Sequence, residues 1–433
     1  MRPLISFFLF LLAFEAYSKE HLVIISPHRK SIQSEFIPKF KDYYQKNFGS
    51  EISIDWLDQG GASDDFKFIL SRFEKNAASS KIDIFWGGGE QPHYELEERN
   101  LLSPHKIPQK LKEEVPQMVG GSLQYNEAEN WHAAALSTFG IFFNRLLLKM
   151  QRIPEPEQWT DLASPKFFNS LSNSDLRRSS VSLTLSYVIL QAEGWEQGWS
   201  TLTRMAGNTR SFRHSSSDPI KDVVSADAAA GITVGYFANS KVNDLGKDKL
   251  GFTLPEQTIV NADPISILKG APNKLAAERF VEFVLSSDAQ KMLILPKEDK
   301  EGPKFSDLGR LSVNKKAYEE TEGRRLNELD PFNLKIKTMK FDANKAFRTQ
   351  LVLADLIGTI HIDQHELLKQ AWQSIIKRGL KEDDLKTFSS IPVSEQELES
   401  FAQKWKNNVF RNTTINHWSK YAVEKYTKLI EGK

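Results

Sequence analysis

The sequence predicts an α/β fold that begins as a parallel, doubly covered sheet. Three apolar runs, LVII at 22–25, ISIDW at 52–56 and IDIFW at 82–86, alternate with two amphipathic stretches of helical period. Strand, helix, strand, helix, strand in that order makes a βαβαβ lobe. Each run also stops at a turn: Ser26-Pro27-His28, then Gly60-Gly61-Ala62-Ser63-Asp64, then Gly87-Gly88-Gly89-Glu90. Three loops therefore gather at the carboxyl edge of the sheet, which is where open α/β sheets bind ligands. The triple glycine has two readings. It is a plain turn after a core strand, or a loop of free φ that offers bare backbone N–H groups to a ligand.

Composition bounds the rest. A chain of 433 residues holds two or three domains, and 40% apolar residues with 28 Phe supply real cores. Lys and Arg number 57 against 56 Asp and Glu, which argues against nucleic acid or an anionic membrane as the main partner. There is no cysteine, so disulfides, thiolate metal sites, a cysteine nucleophile and a lipid-modified N-terminal cysteine are all excluded. Arg2, an apolar run at 4–14 and Ala16-Tyr17-Ser18 form a secretory signal peptide over residues 1–18, with a membrane anchor as the competing reading. No later stretch is long and apolar enough to span a bilayer. The mature chain is expected in the periplasm, with no membrane insertion after cleavage.

The elements follow in order. Ser31 is expected to cap a helix whose apolar face holds Phe36, Ile37, Phe40 and Tyr44. The loop at 60–65 ends in a capping residue before a helix through Phe66, Ile69, Leu70 and Phe73. Residues 92–98 read as a short helix. Residues 131–144, WHAAALSTFGIFFN, read as a long strand in which Gly140 marks a bend or a close backbone approach. Helices are expected at 183–192, 198–205 and 219–228, a buried strand at 229–236, a further strand at 259–269 and a helix pair at 275–295. Residues 296–307 are a charged, Pro- and Gly-bearing loop. Beyond Phe341 the pattern is helical, with candidates at 346–360, 366–377, 395–407 and 418–430.

Six segments, taken together, carry a resemblance: KIDIFWGGG at 81–89, ALSTFGIFFN at 135–144, WTDLASPKF at 159–167, GWEQGW at 194–199, GNTRSFRHSSSDP at 207–219 and ISILKGAP at 265–272, running on to FVEFVLSSDAQKML. In this order they resemble the periplasmic solute-binding proteins of ABC importers, in the iron(III)-type group. The resemblance implies a type II periplasmic-binding-protein fold: a two-lobed α/β clamp with two crossover strands and ligand in the cleft. Residues 133–144 would be the outgoing crossover and 258–269 the return. Lobe one is expected at 19–138 and 258–310, lobe two at 139–257, and a helical C-terminal extension at 311–433 that resembles the tail of longer relatives. Such clamps close by hinge motion around the ligand.

On that plan the cleft is lined by Ser26, His28, Ala62, Ser63, Gly87, Gly88, Gly89 and Glu90 from lobe one. Ser137 and Thr138 come from the outgoing crossover, Ser179, Ser180, Ser215, Ser216 and Tyr236 from lobe two, and Asp263 from the return strand. Hydroxyls and helix N-termini suit an anion, and Arg210, Arg213 and His214 add positive charge. Taken singly, each serine reads better as a helix cap; as a group placed by the family's motifs, they read as the site.

Family members that hold ferric iron use adjacent tyrosines on the lobe-two strand. Here that place reads Gly235-Tyr236-Phe237-Ala238, and a phenylalanine cannot ligate. Tyr236 and His28 are the metal candidates if iron binds. The expectation is instead a phosphorylated sugar or small organic anion, with Trp86 and Tyr236 able to stack on it, no cofactor, and delivery to the transmembrane subunits of a permease. His361 and His365 have the i, i+4 spacing of zinc pairs but lack the glutamate of a metalloprotease motif, and a solvated or partner-facing helix is the competing reading. With no GxSxG elbow, cysteine or paired metal motif, catalysis is not expected. A ferric or ferric-chelate binder and a sensory module docking on a receptor are the alternative functions.

Overall fold

The computed structural model describes residues 20–432 apart from 121, 328, 335–338 and 340; the expected signal peptide at 1–18 lies outside the described residues. Lobe one opens as β1 (Glu20–Ile25), α1 (Lys30–Phe48), β2 (Ile52–Leu57), α2 (Ala62–Lys75), β3 (Ile84–Trp86) and α3 (Glu90–Glu98). β1 pairs in parallel with both β2 and β3. Phe36, Phe40 and Tyr44 recur every four residues on α1 and bury one face of it against Phe280 and Phe283. α1 ends at Gly49, whose φ of +69° is the left-handed C-cap glycine supplies at no steric cost.

Two expected caps are corrected. α1 starts one residue before Ser31, with Arg29 at the cap position and no side-chain cap. α2 starts after Gly61, which has no side chain to cap with, and Asp65 inside its first turn accepts the Gln59 N–H at 2.7 Å. Both helices thus leave their first N–H groups without a side-chain acceptor.

Two long strands carry the chain between lobes. His132–Asn144 is buried along its whole length, and Val260–Leu268 runs antiparallel beside it. The return strand then pairs antiparallel with β3, so the expected parallel sheet is mixed. The eight-strand path runs β2, β1, β3, Val260–Leu268, His132–Asn144, Ala230–Val234, Leu171–Ser174, Thr209–Arg213. The register of the hinge pair shifts between Asp263 and Pro264, a bulge at a residue that has no N–H to give the ladder. Gly140 is a close approach: a Cβ there would strike the Thr253 carbonyl on the neighbouring strand.

Lobe two and the C-terminal helices share one core. It joins Leu185, Trp199 and Ile232 to Leu353, Trp372 and Trp418. Trp372 is fully buried, donates to the Asn208 side-chain oxygen at 2.7 Å and stacks on Phe388 with centroids 5.2 Å apart. Gly207 makes room for it, since a Cβ there would lie 2.7 Å from the indole Cγ. The boundary expected at 311 falls inside lobe one. Leu311 exchanges backbone hydrogen bonds with Leu136, and Val313, Ala317 and Tyr318 are buried in the lobe-one core. Phe332 and Leu334 still pack on lobe one, whereas Met339 and Phe341 pack on lobe two. The chain therefore passes between the lobes a third time.

His361 and His365 do not share a regular helix face. Gly358–Ile362 is a π-turn, which breaks the i, i+4 geometry. Both rings are packing contacts: His361 lies 3.1 Å from the Thr203 hydroxyl and His365 3.0 Å from the Thr209 carbonyl. This corrects both the zinc-pair and the solvated-helix readings. Among the described residues no group of three or more His, Cys, Asp or Glu side chains is placed to hold a metal.

Candidate functional site

The site is assembled where the lobe-one loops meet the hinge strands. β1 ends at Ile25, and the turn that follows brings His28 back over the sheet edge. Its Nδ1 lies 3.0 Å from the Ser26 hydroxyl and its Nε2 2.8 Å from Oδ2 of Asp263 on the return strand. The neutral ring thus donates from Nε2 to the carboxylate and accepts at Nδ1 from the serine. In this arrangement neither nitrogen is free to ligate a metal. Burial lowers the His28 pKa below its ordinary value, and the adjacent Asp263 only partly offsets that. Burial would raise the Asp263 carboxyl, but His28 and Arg310 outweigh it and hold the group well below the usual carboxylate range. Arg310 closes the cluster with a direct ion pair to Oδ2 of Asp263.

The triple glycine is the wall of this cluster. Gly87, Gly88 and Gly89 have φ of +86°, +88° and +82°, a run that side chains rarely adopt. A Cβ on Gly87 would lie 2.6 Å from Cε1 of His28, and one on Gly88 would lie 3.1 Å from Cβ of Ala62. Glycine here admits His28 and lets the two Gly-rich loops touch. His93, one turn into α3, fixes the loop. Its Nε2 is 3.0 Å from the Gly87 carbonyl, its Nδ1 2.6 Å from the Ser266 hydroxyl, and its ring stacks on Phe85. Burial brings the His93 pKa down to about 4. Glu90 opens α3 and accepts the Ala262 N–H at 3.0 Å and the Tyr94 hydroxyl at 3.2 Å. Burial pushes its carboxyl up to about 7.

Lobe two faces this cluster with the start of a helix. Tyr236, expected on a strand, lies in the first turn of helix Gly235–Leu245, because strand Ala230–Val234 ends earlier than its apolar run. The guanidinium of Arg310 sits over the Tyr236 ring at 4.7 Å, and that of Arg29 over Phe237 at 4.3 Å. The two rings are 4.3 Å apart. Two lobe-one arginines are thus laid on adjacent lobe-two aromatics, across the cleft. Burial raises the Tyr236 hydroxyl pKa, with Arg310 opposing it. Ser137 and Thr138 are buried residues of the outgoing strand whose hydroxyls meet no hydrogen-bond partner among the described residues, and Gly235 leaves just the space that Thr138 fills.

The expected site residues divide accordingly. Ser26, His28, Gly87, Gly88, Glu90, Thr138, Tyr236 and Asp263 are joined around the hinge, with Ser137 beside Thr138 and Gly89 at the α3 cap. Ser63 is exposed in the first turn of α2. Ser179 caps helix Ser180–Glu193 by accepting the Ser182 N–H at 3.2 Å, with Ser180 exposed beside it. Ser215 accepts the Ser217 N–H at 3.3 Å, and Ser216 is half-buried. No contact links these four lobe-two serines to the hinge cluster among the described residues; Ser179 is a helix cap and Ser215 lies in a local turn. Arg210 and Arg213 are neutralised in place by Asp227 and Asp222 around a 220 Å³ cavity on the sheet edge. Arg29, Arg310 and His93 were not among the expected residues. Arg29 adjoins His28 at the first strand-end loop, a position that singled out its neighbour; Arg310 and His93 carry no local signal.

Strand-end loops facing across two hinge strands, with cations on one lobe and aromatics on the other, define a two-lobed binding clamp. Residues 79–297, half of the chain, match the model for bacterial extracellular solute-binding proteins, and the chain belongs to that family. It is a periplasmic-type solute-binding protein of the ABC-transporter class. The phosphoglycerate transport regulatory protein PgtC of Salmonella typhimurium is 25% identical over 294 residues, spanning 66% of this chain and 69% of that protein. Among solved structures, the periplasmic binding protein P5PA superposes with a TM-score of 0.60 at 19% identity, covering 79% of this chain and 100% of that one. The binding protein AfuA from Actinobacillus pleuropneumoniae, with exogenous fructose-6-phosphate bound, gives 0.58 at 20% identity over 83% and 99%. The Trichodesmium protein IdiA (FutA), in complex with iron and citrate, gives 0.57 at 18% over 78% and 98%. No helix among the described residues is long and apolar enough to cross a membrane.

Proposed function

We propose that this protein captures a small phosphorylated organic anion in the interlobe cleft and delivers it, in the periplasm, to the transmembrane subunits of an ABC permease. The carrying observation is the pair of guanidiniums that reach from lobe one to Tyr236 and Phe237, one of which, Arg29, has no carboxylate within ion-pair distance among the described residues. Burial lowers the His28 pKa and Arg310 is balanced by Asp263, so Arg29 is the cleft cation left without an ion-pair partner among the described residues. Uncapped helix starts at Gly61, Gly89 and Val234 add N–H groups suited to phosphoryl oxygens. Two relatives point the same way by name, one handling phosphoglycerate and one holding fructose-6-phosphate.

Ferric iron is the second reading, favoured by the iron-and-citrate relative. It is the weaker one. Phe237 offers no oxygen where iron binders have a second tyrosine, and both nitrogens of His28 are engaged. A sensory role is a third, prompted by the word regulatory in the name of the Salmonella protein. Ser26, His28 and Asp263 are hydrogen-bonded in line, but the Ser26 side chain is fully buried and its oxygen already accepts the His28 backbone N–H at 3.2 Å, so binding without turnover is the expectation. Isothermal titration of the mature chain with phosphoglycerate, hexose phosphate and ferric citrate tests the proposal. Saturable binding of a phosphorylated ligand, recovered unchanged, supports it; binding of ferric iron alone, or turnover, overturns it.

A further inference from the structure

The cleft offers an anion two different kinds of partner. The inner floor offers O–H and N–H donors: the hydroxyls of Ser137 and Thr138, without a hydrogen-bond partner among the described residues, and the open N-terminal turns of helix Gly235–Leu245 and of α3, where the buried Glu90 carboxyl has its pKa raised to about 7. Such a floor takes phosphoryl oxygens through N–H and O–H donors. The rim carries Arg29, an exposed residue at the cap position of α1, whose guanidinium rests on Phe237 of the opposite lobe and meets no carboxylate among the described residues. Its counterpart on the adjacent ring, Arg310, is already neutralised by Asp263 and cannot serve the same purpose. A ligand whose phosphoryl group fills the floor leaves Arg29 unmatched. A ligand with a second anionic group a few bonds away matches both.

Resting on the anion-binding reading above, we propose that Arg29 is a specificity-determining residue that pairs with a second anionic group, so that the cleft selects short phosphorylated carboxylic acids over neutral-tailed phosphate esters. The guanidinium lies 4.3 Å from the centroid of the Phe237 ring. Ligand capture exchanges that ring contact for a planar two-bond pairing with a carboxylate, the geometry for which arginine is suited. Phe237 is then a seat for Arg29 rather than a lost iron ligand.

The test is calorimetry on the full mature chain with 3-phosphoglycerate and glycerol 3-phosphate, which differ in the carboxylate and match in length. Wild type should prefer 3-phosphoglycerate by at least about tenfold, and Arg29→Gln should weaken that ligand by about 10- to 100-fold while moving glycerol 3-phosphate by less than about threefold. Arg29→Lys, which keeps charge without the planar fork, should fall between the two, and the salt dependence of 3-phosphoglycerate binding should flatten in Arg29→Gln. Equal losses for both probes would place Arg29 on the phosphoryl group and overturn the inference, as would no loss for either. If wild type binds neither phosphorylated probe, the proposed function falls as well. A matching thermal melt confirms that the exposed substitution leaves the fold intact.

Discussion

Nε2 of His28 lies 2.8 Å from Oδ2 of Asp263, joining residues 235 positions apart. One belongs to the first loop of lobe one and the other to the strand that returns from lobe two, so the bond ties the cleft floor to the hinge. Asp263 also carries Arg310, and each partner is nearly enclosed. Removing the carboxylate strands a buried guanidinium. Asp263→Asn is expected to cost about 3 kcal/mol in denaturant unfolding, the usual penalty for breaking a buried pair. The Asp263 carboxyl is held below its ordinary range, so its stabilisation is complete above that range and is lost as pH falls beneath it. The wild-type melting temperature should therefore drop in acid more steeply than that of Asp263→Asn. Parallel acid profiles would refute this.

Glu90 should make ligand affinity depend on pH near neutrality. Burial pushes its carboxyl to about 7 from an ordinary 4.5, so it is largely neutral at pH 6 and charged at pH 8. A charged Glu90 repels an anionic ligand and also loses the native-state preference for the proton. Both affinity for the anion and the stability contribution of this group are highest at low pH and decline as pH rises through 7. Titrations from pH 6 to 8 with wild type and Glu90→Gln measure it. The variant should lose the decline, which separates Glu90 from the ligand's own phosphate titration.

Gly87→Ala is expected to disrupt the site without touching a donor. The added Cβ would fall 2.6 Å from the His28 ring, at a φ of +86°. The cost in backbone strain alone is about 1–3 kcal/mol, before the imidazole is displaced from Asp263. The chain should still fold, with a lower melting temperature and little ligand binding.

The C-terminal helices should melt together with lobe two. Trp372→Ala removes a fully buried indole from their common core and should cost about 3–5 kcal/mol. Hydrogen exchange in wild type should show the same opening energy for helices Trp195–Asn208 and His365–Lys377. A tail that exchanges independently at much lower energy would contradict the shared core.

Much of lobe one can be read from the sequence because its signals are local. Residues 22–25, 52–56 and 82–86 are short apolar runs that end at Ser-Pro or glycine, and the structure has strands there. Gly140 marked a close approach that the neighbouring strand confirms. The six segments together pointed to the clamp. What escaped is what depends on distant contacts. Arg310 sits in a charged loop and acquires its meaning from Asp263, 47 positions away, and from a ring on the other lobe. His93 looks like any polar residue of a short helix until the fold sets it between Gly87 and Ser266. The part played by the lobe-two serines is not legible in the sequence, since a serine before a helix has the same sequence whether it caps or binds. The position of the tail was equally hidden: Trp372 reads as one face of an amphipathic helix, and only the gap at Gly207 assigns that face to lobe two.

The most direct test of the central claim is a thermal-shift comparison of the mature chain with 3-phosphoglycerate, hexose phosphate, inorganic phosphate and ferric citrate. A ligand present at a hundred times its dissociation constant adds about 2.7 kcal/mol to the folded state, which such a scan detects readily. The account predicts a rise with phosphorylated organic acids and no rise with iron. A rise with ferric citrate alone would contradict it.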